Sequence, residues 1–170
     1  ENILLEDTQD VKNFVGEYRP ENYLLNSAAP YAVGPYDICP YYMEHKVQQA
    51  EAMKNAKKVI LDVAGDFEKT FGRKYGLFEE YRMEDAEAAI VLIGSTAGTA
   101  KACIDELRAS GKKAGLIKIR VFRPFPAAEL AAALSHVKAV AVMDKSEGFS
   151  GNGGPVYIHL GQRTGEEEVL

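Results

Sequence analysis

Cysteine is scarce in this chain, with two residues, Cys39 and Cys103, among 170. An iron–sulfur cluster usually takes four thiolates and structural zinc four Cys or His ligands, so neither can be assembled from these two thiols, and no histidine is spaced to complete a site. Free thiols without a disulfide framework suit a reducing compartment, and the sequence predicts a cytoplasmic protein. Positive charge is also short. Twenty Lys and Arg stand against 25 Asp and Glu, a net charge of −5, which argues against a nucleic-acid partner, because that affinity comes from clustered Lys and Arg. No run approaches the ~20 consecutive apolar residues of a membrane span. The opening Glu1-Asn2-Ile3-Leu4-Leu5-Glu6-Asp7 lacks the basic start of a signal peptide, so no membrane partner is expected. An initiator methionine is missing as well, which predicts a fragment or processed subunit of a longer protein.

What is present suits a soluble fold. At 46% hydrophobic and 26% charged residues, a core can form without disulfides or a structural metal. Residues 1–15 hold a short amphipathic piece, with Val11, Phe14 and Val15 after a possible cap at Asp7 or Thr8. From Gly16 to Pro40 the periodicity stops. This stretch carries Pro20, Pro30, Pro35 and Pro40, which forbid a long helix, together with Tyr18, Tyr23, Tyr31 and Tyr36. It is too aromatic for a solvated tether and predicts an arm lying on a surface, either of another body or of its own domain. A long helix is expected from about Tyr41 to about Phe71, with Val47, Ala50, Met53, Ala56, Val59, Ile60 and Val63 on its apolar side, a break or kink at Gly65 and a stop at Gly72.

After Gly76 the rhythm becomes strand, helix, strand. Ala88–Ile93, Ala114–Ile119 and Ala139–Met143 are short continuous apolar runs, as in strands buried on both faces of a parallel sheet. A fourth strand is expected at Val156–Leu160. Helices are expected from about Thr96 to Ser110, with Ala100, Cys103, Ile104 and Leu107 inward, and from Pro126 to about Leu134, with Leu130, Ala133 and Leu134 inward. The fold class is therefore α/β, an open and mostly parallel sheet of about four to five strands with flanking helices, preceded by an extended arm and a long helix. The domain division expected is 1–40 as the end of a preceding domain with the crossing arm, and 41–170 as the α/β domain.

Three places invite a functional reading. Gly94, Ser95, Thr96 and Gly98 form a glycine-bearing turn between a strand and a helix N-terminus, where free amides could cradle a phosphate. The turn lacks both the Walker ending and the Gly-x-Gly-x-x-Gly pattern, and Ser95 or Thr96 capping the helix is the structural alternative. Arg120-Val121-Phe122-Arg123-Pro124-Phe125-Pro126 follows a strand at the edge where open sheets bind ligands. Phe122, Arg123 and Phe125 are candidate interface residues, as are Tyr31, Tyr36, Tyr41 and Tyr42. The alternative places the two phenylalanines in the core. Asp144, also on that edge, reads as a cap rather than a catalytic acid. His45, on the long helix, reads as a surface or interface residue, and no catalytic set or metal site assembles from the three histidines.

Four strings carry a resemblance: Asp37 through Gln49, Phe71-Gly72-Arg73-Lys74-Tyr75-Gly76-Leu77-Phe78-Glu79-Glu80-Tyr81-Arg82, Ile93 through Ala100, and Val121-Phe122-Arg123-Pro124-Phe125-Pro126. In this order they resemble the second domain of the alpha subunit of pyruvate:ferredoxin oxidoreductases, over about residues 5–160. The resemblance implies a domain like the carboxyl-terminal domain of transketolase, in an enzyme that cleaves a 2-oxoacid oxidatively, joins the acyl group to coenzyme A and passes electrons to ferredoxin. It implies thiamine diphosphate, magnesium and iron–sulfur clusters in the parent complex, none of them held by this segment, and other domains and subunits as partners. Relatives acting on oxalate, branched-chain oxoacids or 2-oxoglutarate share the architecture. A free-standing nucleotide- or phosphate-binding module is the alternative function.

Overall fold

A computed structural model describes residues 3–32, 34, 36–149 and 151–161. The chain divides into two compact units, residues 2–74 and 75–170, so that the long helix groups with the arm rather than with the sheet.

In the first unit, α1 (Thr8–Val15) is capped by Asp7, whose carboxylate accepts from the amides of Gln9 and Asp10, as the sequence led one to expect. α2 (Tyr42–Phe71) runs 30 residues, roughly 45 Å at the α-helical rise. It passes through Gly65 without a break and ends where Gly72 takes the left-handed conformation that costs glycine little. Phe14 of α1 sits edge-on to Phe67 and Phe71 of α2, at centroid distances of 5.8 and 5.4 Å. Arg73 pairs with Glu6, so part of the Phe71–Arg82 string serves to fasten α1 to the end of the long helix. At the other end of α2, His45 Nδ1 lies 2.6 Å from Asp37 Oδ1.

The apolar side of α2 is only partly covered, with Ala50, Ala56 and Ile60 half-buried, short of the burial that the pattern suggests. The helix buries no residue, and Val47, Val59 and Val63 each remain more than half exposed. Local pairs support it instead: Glu51 with Lys54, Lys58 with Asp62 and Asp66 with Lys69. Pairs of this kind contribute about 0.2–0.5 kcal/mol each.

The second unit is an open sheet of β1 (Phe78–Tyr81), β2 (Ala88–Ile93), β3 (Ala114–Ile119) and β4 (Ala139–Met143), in the order β1-β3-β2-β4. β2 is parallel to both β3 and β4, while β1 runs antiparallel along β3. The three parallel strands match their expected limits. β1 is an addition to them, hidden from sequence reading because its Phe-Glu-Glu-Tyr has the charge of an edge rather than the apolar run of a central strand. Two helices also match: α3 (Thr96–Ala109) and α4 (Ala127–Ala133), on which Leu130 is fully buried.

The expected strand at Val156–Leu160 is a helix, α5 (Pro155–Gly161). Pro155 opens it, a position where its missing N–H costs nothing. Val156 and Leu160, four apart and therefore on one face, go into the core, while Tyr157 stays more than half exposed. The sheet has a core on each side. Val91, Ile117 and Ile119 pack with Leu130, Leu134, Val156 and Leu160 under α4 and α5, and Leu92 and Leu116 pack with Ala97 and Ile104 under α3. Arg108 at the end of α3 locks the corner, donating to the carbonyls of Ala114 and Arg82 and to the Asp85 carboxylate.

Candidate functional site

Because β2, β3 and β4 are parallel, their carboxyl ends share one edge, and the register sets Ile93 beside Ile119 and Leu92 beside Met143. The Gly94 turn therefore lies between the Arg120 segment on one side and Asp144 on the other. The chain steps from β2 to β3 and then back past β2 to β4, and that reversal creates the crevice where open α/β sheets bind ligands, between the ends of β2 and β4.

The turn at this crevice is exposed and held by its own backbone. Ala97 N–H donates to the Gly94 carbonyl at 3.3 Å and Gly98 N–H to the Ser95 carbonyl at 3.0 Å. Ser95 stands at the N-cap without a side-chain hydrogen bond to the first turn, so the serine cap expected from the sequence is not made. Its backbone is already helical there, whereas a capping serine is normally extended. Gly94, Ser95, Thr96 and Gly98 thus come together in one turn, with two first-turn amides already donated.

Asp144 is a cap, as its position suggested. Its two carboxylate oxygens accept from the amides of Val156 and Tyr157, each at 3.0 Å, so the acid on the crevice is spent on the N-terminus of α5. A Cβ on Gly154 would strike the Asp144 side chain, so the close approach of the carboxylate to the start of α5 requires glycine there. Asp144→Ala is expected to cost about 1–2 kcal/mol by leaving those amides unmatched, read as a lower urea midpoint with an unchanged slope.

Beyond β3, Phe122 and Phe125 are half-buried against the core under α4 and α5. They meet edge-on at 6.0 Å, and His159 of α5 closes the group, stacked on Phe125 at 5.1 Å. Arg123 stays exposed with its guanidinium over the Phe122 ring. His159 escaped the sequence reading because a strand was assigned to its segment.

Burial pushes the His159 imidazole below its ordinary range, and the nearby Arg123 charge adds to the shift. The sign follows from linkage. Between the unfolded value near 6.5 and the lower folded one, the unfolded chain binds the proton more readily, so this stability is complete above about pH 6.5 and is lost as pH falls through the folded pKa. Urea melts should show lower stability at about pH 5.5 than at 7.5, and His159→Phe should flatten that difference.

Glu79 on β1 takes Lys101 and Arg120 on its two oxygens, the latter at 2.7 Å. Burial would raise this carboxyl, but the Lys101 hydrogen bond and the charges of Lys101 and Arg120 win, and it titrates below the usual carboxylate range. Arg120 also lies over the Tyr75 ring at 4.9 Å. Among the described residues no group of three or more His, Cys, Asp or Glu is placed to hold a metal ion, and no helix is long and apolar enough to cross a membrane.

Residues 86–168 match the family model of the pyruvate:ferredoxin oxidoreductase core domain II. Relatives agree over most of the chain. The pyruvate synthase subunit PorA of Thermotoga maritima is 50% identical over 147 residues, 86% of this chain and 37% of that protein. This chain carries a domain II of the pyruvate:ferredoxin oxidoreductase family. A second PorA, from Methanothermobacter thermautotrophicus, is 41% identical over 95% of this chain and 42% of its own length. The alpha subunit of the NADH-dependent phenylglyoxylate dehydrogenase of Aromatoleum evansii is 42% identical over 91% of this chain and 39% of its own. The chain thus spans 37–42% of the length of these three relatives. The domain II assignment covers the crevice, the Arg120–Pro126 edge and the Asp144 cap alike.

Proposed function

We propose that this chain is a structural and docking domain of a thiamine-diphosphate-dependent 2-oxoacid:ferredoxin oxidoreductase, which decarboxylates pyruvate oxidatively, transfers the acetyl group to coenzyme A and passes the electrons to ferredoxin in the cytoplasm. The observation that carries the role is how the polar groups of the carboxyl edge are committed: Asp144 to two helix amides, Glu79 to Lys101 and Arg120, and His159 to a stack against Phe125. Acids and bases held this way serve the fold, and none is aimed at a place where a substrate atom could sit.

The described residues do not fit the groups that such an enzyme uses. A diphosphate with its magnesium needs an oxygen-rich ligand set, and the Gly94 turn offers amides, two of which are already donated. A cluster of iron and sulfide needs four thiolates, and this chain has two cysteines, Cys39 and Cys103, one in each unit. Those groups therefore belong to other domains and subunits, and docking to them falls to the exposed tyrosines Tyr31, Tyr36, Tyr41 and Tyr42 together with Arg123 and the outer edges of Phe122 and Phe125. Pyruvate is the reading favoured by the two PorA relatives. The phenylglyoxylate enzyme is named for another 2-oxoacid, which fits a substrate pocket formed outside domain II.

The test is turnover of the complete enzyme carrying Asp144→Asn or Ser95→Ala. Rates of pyruvate-dependent electron transfer should stay within about twofold of the parent, since neither group meets the reacting atoms. A loss on the order of 100-fold or more with the fold intact would assign chemistry to this edge and overturn the reading.

A further inference from the structure

The arm between α1 and α2 is fastened at both ends to the same helix. At its start, Phe14 sits edge-on to Phe67 and Phe71, and Arg73, whose guanidinium lies over the Phe67 ring at 5.2 Å, pairs with Glu6. At its end, the Asp37 carboxylate accepts from His45 Nδ1 at 2.6 Å, an ionised carboxylate having no proton to give. The Tyr41 amide donates to the Ile38 carbonyl there, and the His45 amide to that of Tyr41. The chain therefore leaves one end of α2 and returns to the other. Both ties lie on one side of the helix. Ala56, Ile60, Ala64, Phe67 and Phe71 follow one another at steps of three or four residues, and His45 precedes Ala56 by about three turns. Those five residues are half-buried, while Val59 and Val63 on the neighbouring flank are more than half exposed.

Between the ties there is more chain than the span requires. Phe71 and His45 are roughly 39 Å apart along α2, whereas residues 16–37 would reach roughly 75 Å if extended. A turn over residues 23–29 takes up part of the excess: the amides of Asn26 and Ala29 donate to the carbonyls of Tyr23 and Asn26, and the amide of Ala28 to the Asn26 side chain. Asn26 is half-buried in that turn, and Tyr23, Leu24 and Leu25 beside it are exposed. Charge is spent locally, Glu17 on Arg19 and Asp37 on His45. What faces outward is apolar area and phenol hydroxyls.

We infer that residues 16–37 are a strap whose two ties to α2 position its aromatic side chains for docking, and that the surface it fits is an uncharged protein surface with apolar pockets and acceptors for the phenol groups. Phe14 and His45 are its positioning residues. The inference rests on the docking role proposed above and names what prepares it. A segment held at one end explores many more arrangements, and the entropy lost in ordering it opposes binding.

The test follows chymotrypsin cleavage at Tyr23, Leu24 and Leu25 in the complete enzyme, by mass spectrometry, because a docked segment is cut only through local opening. The parent should be cut about tenfold or more slowly than chain 1–170 alone. Phe14→Ala and His45→Ala, each of which cuts one tie and removes no docking tyrosine, should speed cleavage in the complete enzyme about tenfold. His45→Gln, which still donates to Asp37, should stay near the parent, and so should Glu21→Gln. The double variant Tyr31→Ser, Tyr36→Ser should be cut fast. Parent-like cleavage of Phe14→Ala and His45→Ala beside fast cleavage of the tyrosine variant would overturn the inference and leave docking standing. Fast cleavage of Glu21→Gln would overturn the uncharged partner. A parent cut as fast in the complete enzyme as in chain 1–170 would overturn the docking role itself.

Discussion

Gly115→Val should strongly destabilise the second unit, while Gly98→Ala should strengthen it. Gly115 lies within β3, and a Cβ there would stand 2.6 Å from the Met83 sulfur and 2.9 Å from both the Ala86 Cβ and the Arg82 carbonyl oxygen. Met83 and Ala86 are each 2% exposed, so the side chains have nowhere to move, and the backbone carbonyl cannot yield without disturbing the Arg108 lock that it accepts from. Overpacking of this kind costs about 3 kcal/mol at the upper end of its range. For a unit of this size that is a drop on the order of 15 °C in melting temperature. Gly98 is in α3, and an added Cβ there meets nothing within 4 Å, so alanine gains about 0.5–1 kcal/mol of helix propensity without a clash. Thermal melts followed by circular dichroism check both signs in one series.

The second large effect belongs to the arm. Tyr18, Leu24, Leu25 and Tyr36 are each at least 85% exposed, and Tyr31, Tyr41 and Tyr42 more than half, an apolar display that a monomer does not normally leave wet. Removing residues 17–36 should weaken binding to the remaining domains and subunits of the parent enzyme by about 30-fold or more, since one buried interface tyrosine is often worth ~2 kcal/mol when truncated. Melting of the sheet unit should barely change, because none of these residues belongs to either of its two cores. Sedimentation of the mixed components reads the first quantity and calorimetry the second. Lost cooperative melting with normal assembly would instead make the arm part of this domain's own core.

The central sheet was legible because its strands are continuous apolar runs bounded by glycine and charge, the pattern of strands buried on both faces. α1 and α2 were legible from Asp7 and from long helical spacing ended by glycine. What escaped depended on partners distant in sequence. Val156 to Leu160 is too short and too apolar for periodicity to separate strand from helix, and the deciding features were Pro155 at the first turn and the carboxylate of Asp144, twelve residues before Val156. β1 was missed because its Glu79 is satisfied by Lys101 and Arg120, residues that only the fold brings near. The stripe of Ala100, Cys103, Ile104 and Leu107 was read correctly as one helix face, yet only Ile104 among these is buried, since α3 covers two strands and leaves β4 bare. At the crevice, sequence located Asp144 as a cap but gave Ser95 a role that Gly94 and the backbone fill. His159 stayed hidden, because its stack on Phe125 requires the helix that the sequence did not announce.

The most direct test of the central claim is an assay of chain 1–170 by itself. The purified chain would be given thiamine diphosphate, Mg²⁺, pyruvate, coenzyme A and an artificial electron acceptor under anaerobic conditions, with reduction of the acceptor followed spectroscopically. The account predicts no reduction above the protein-free rate, because it assigns activation of the substrate and the hold on the cofactor to other domains and subunits. Sustained, pyruvate-dependent reduction that scales with the amount of chain would contradict it.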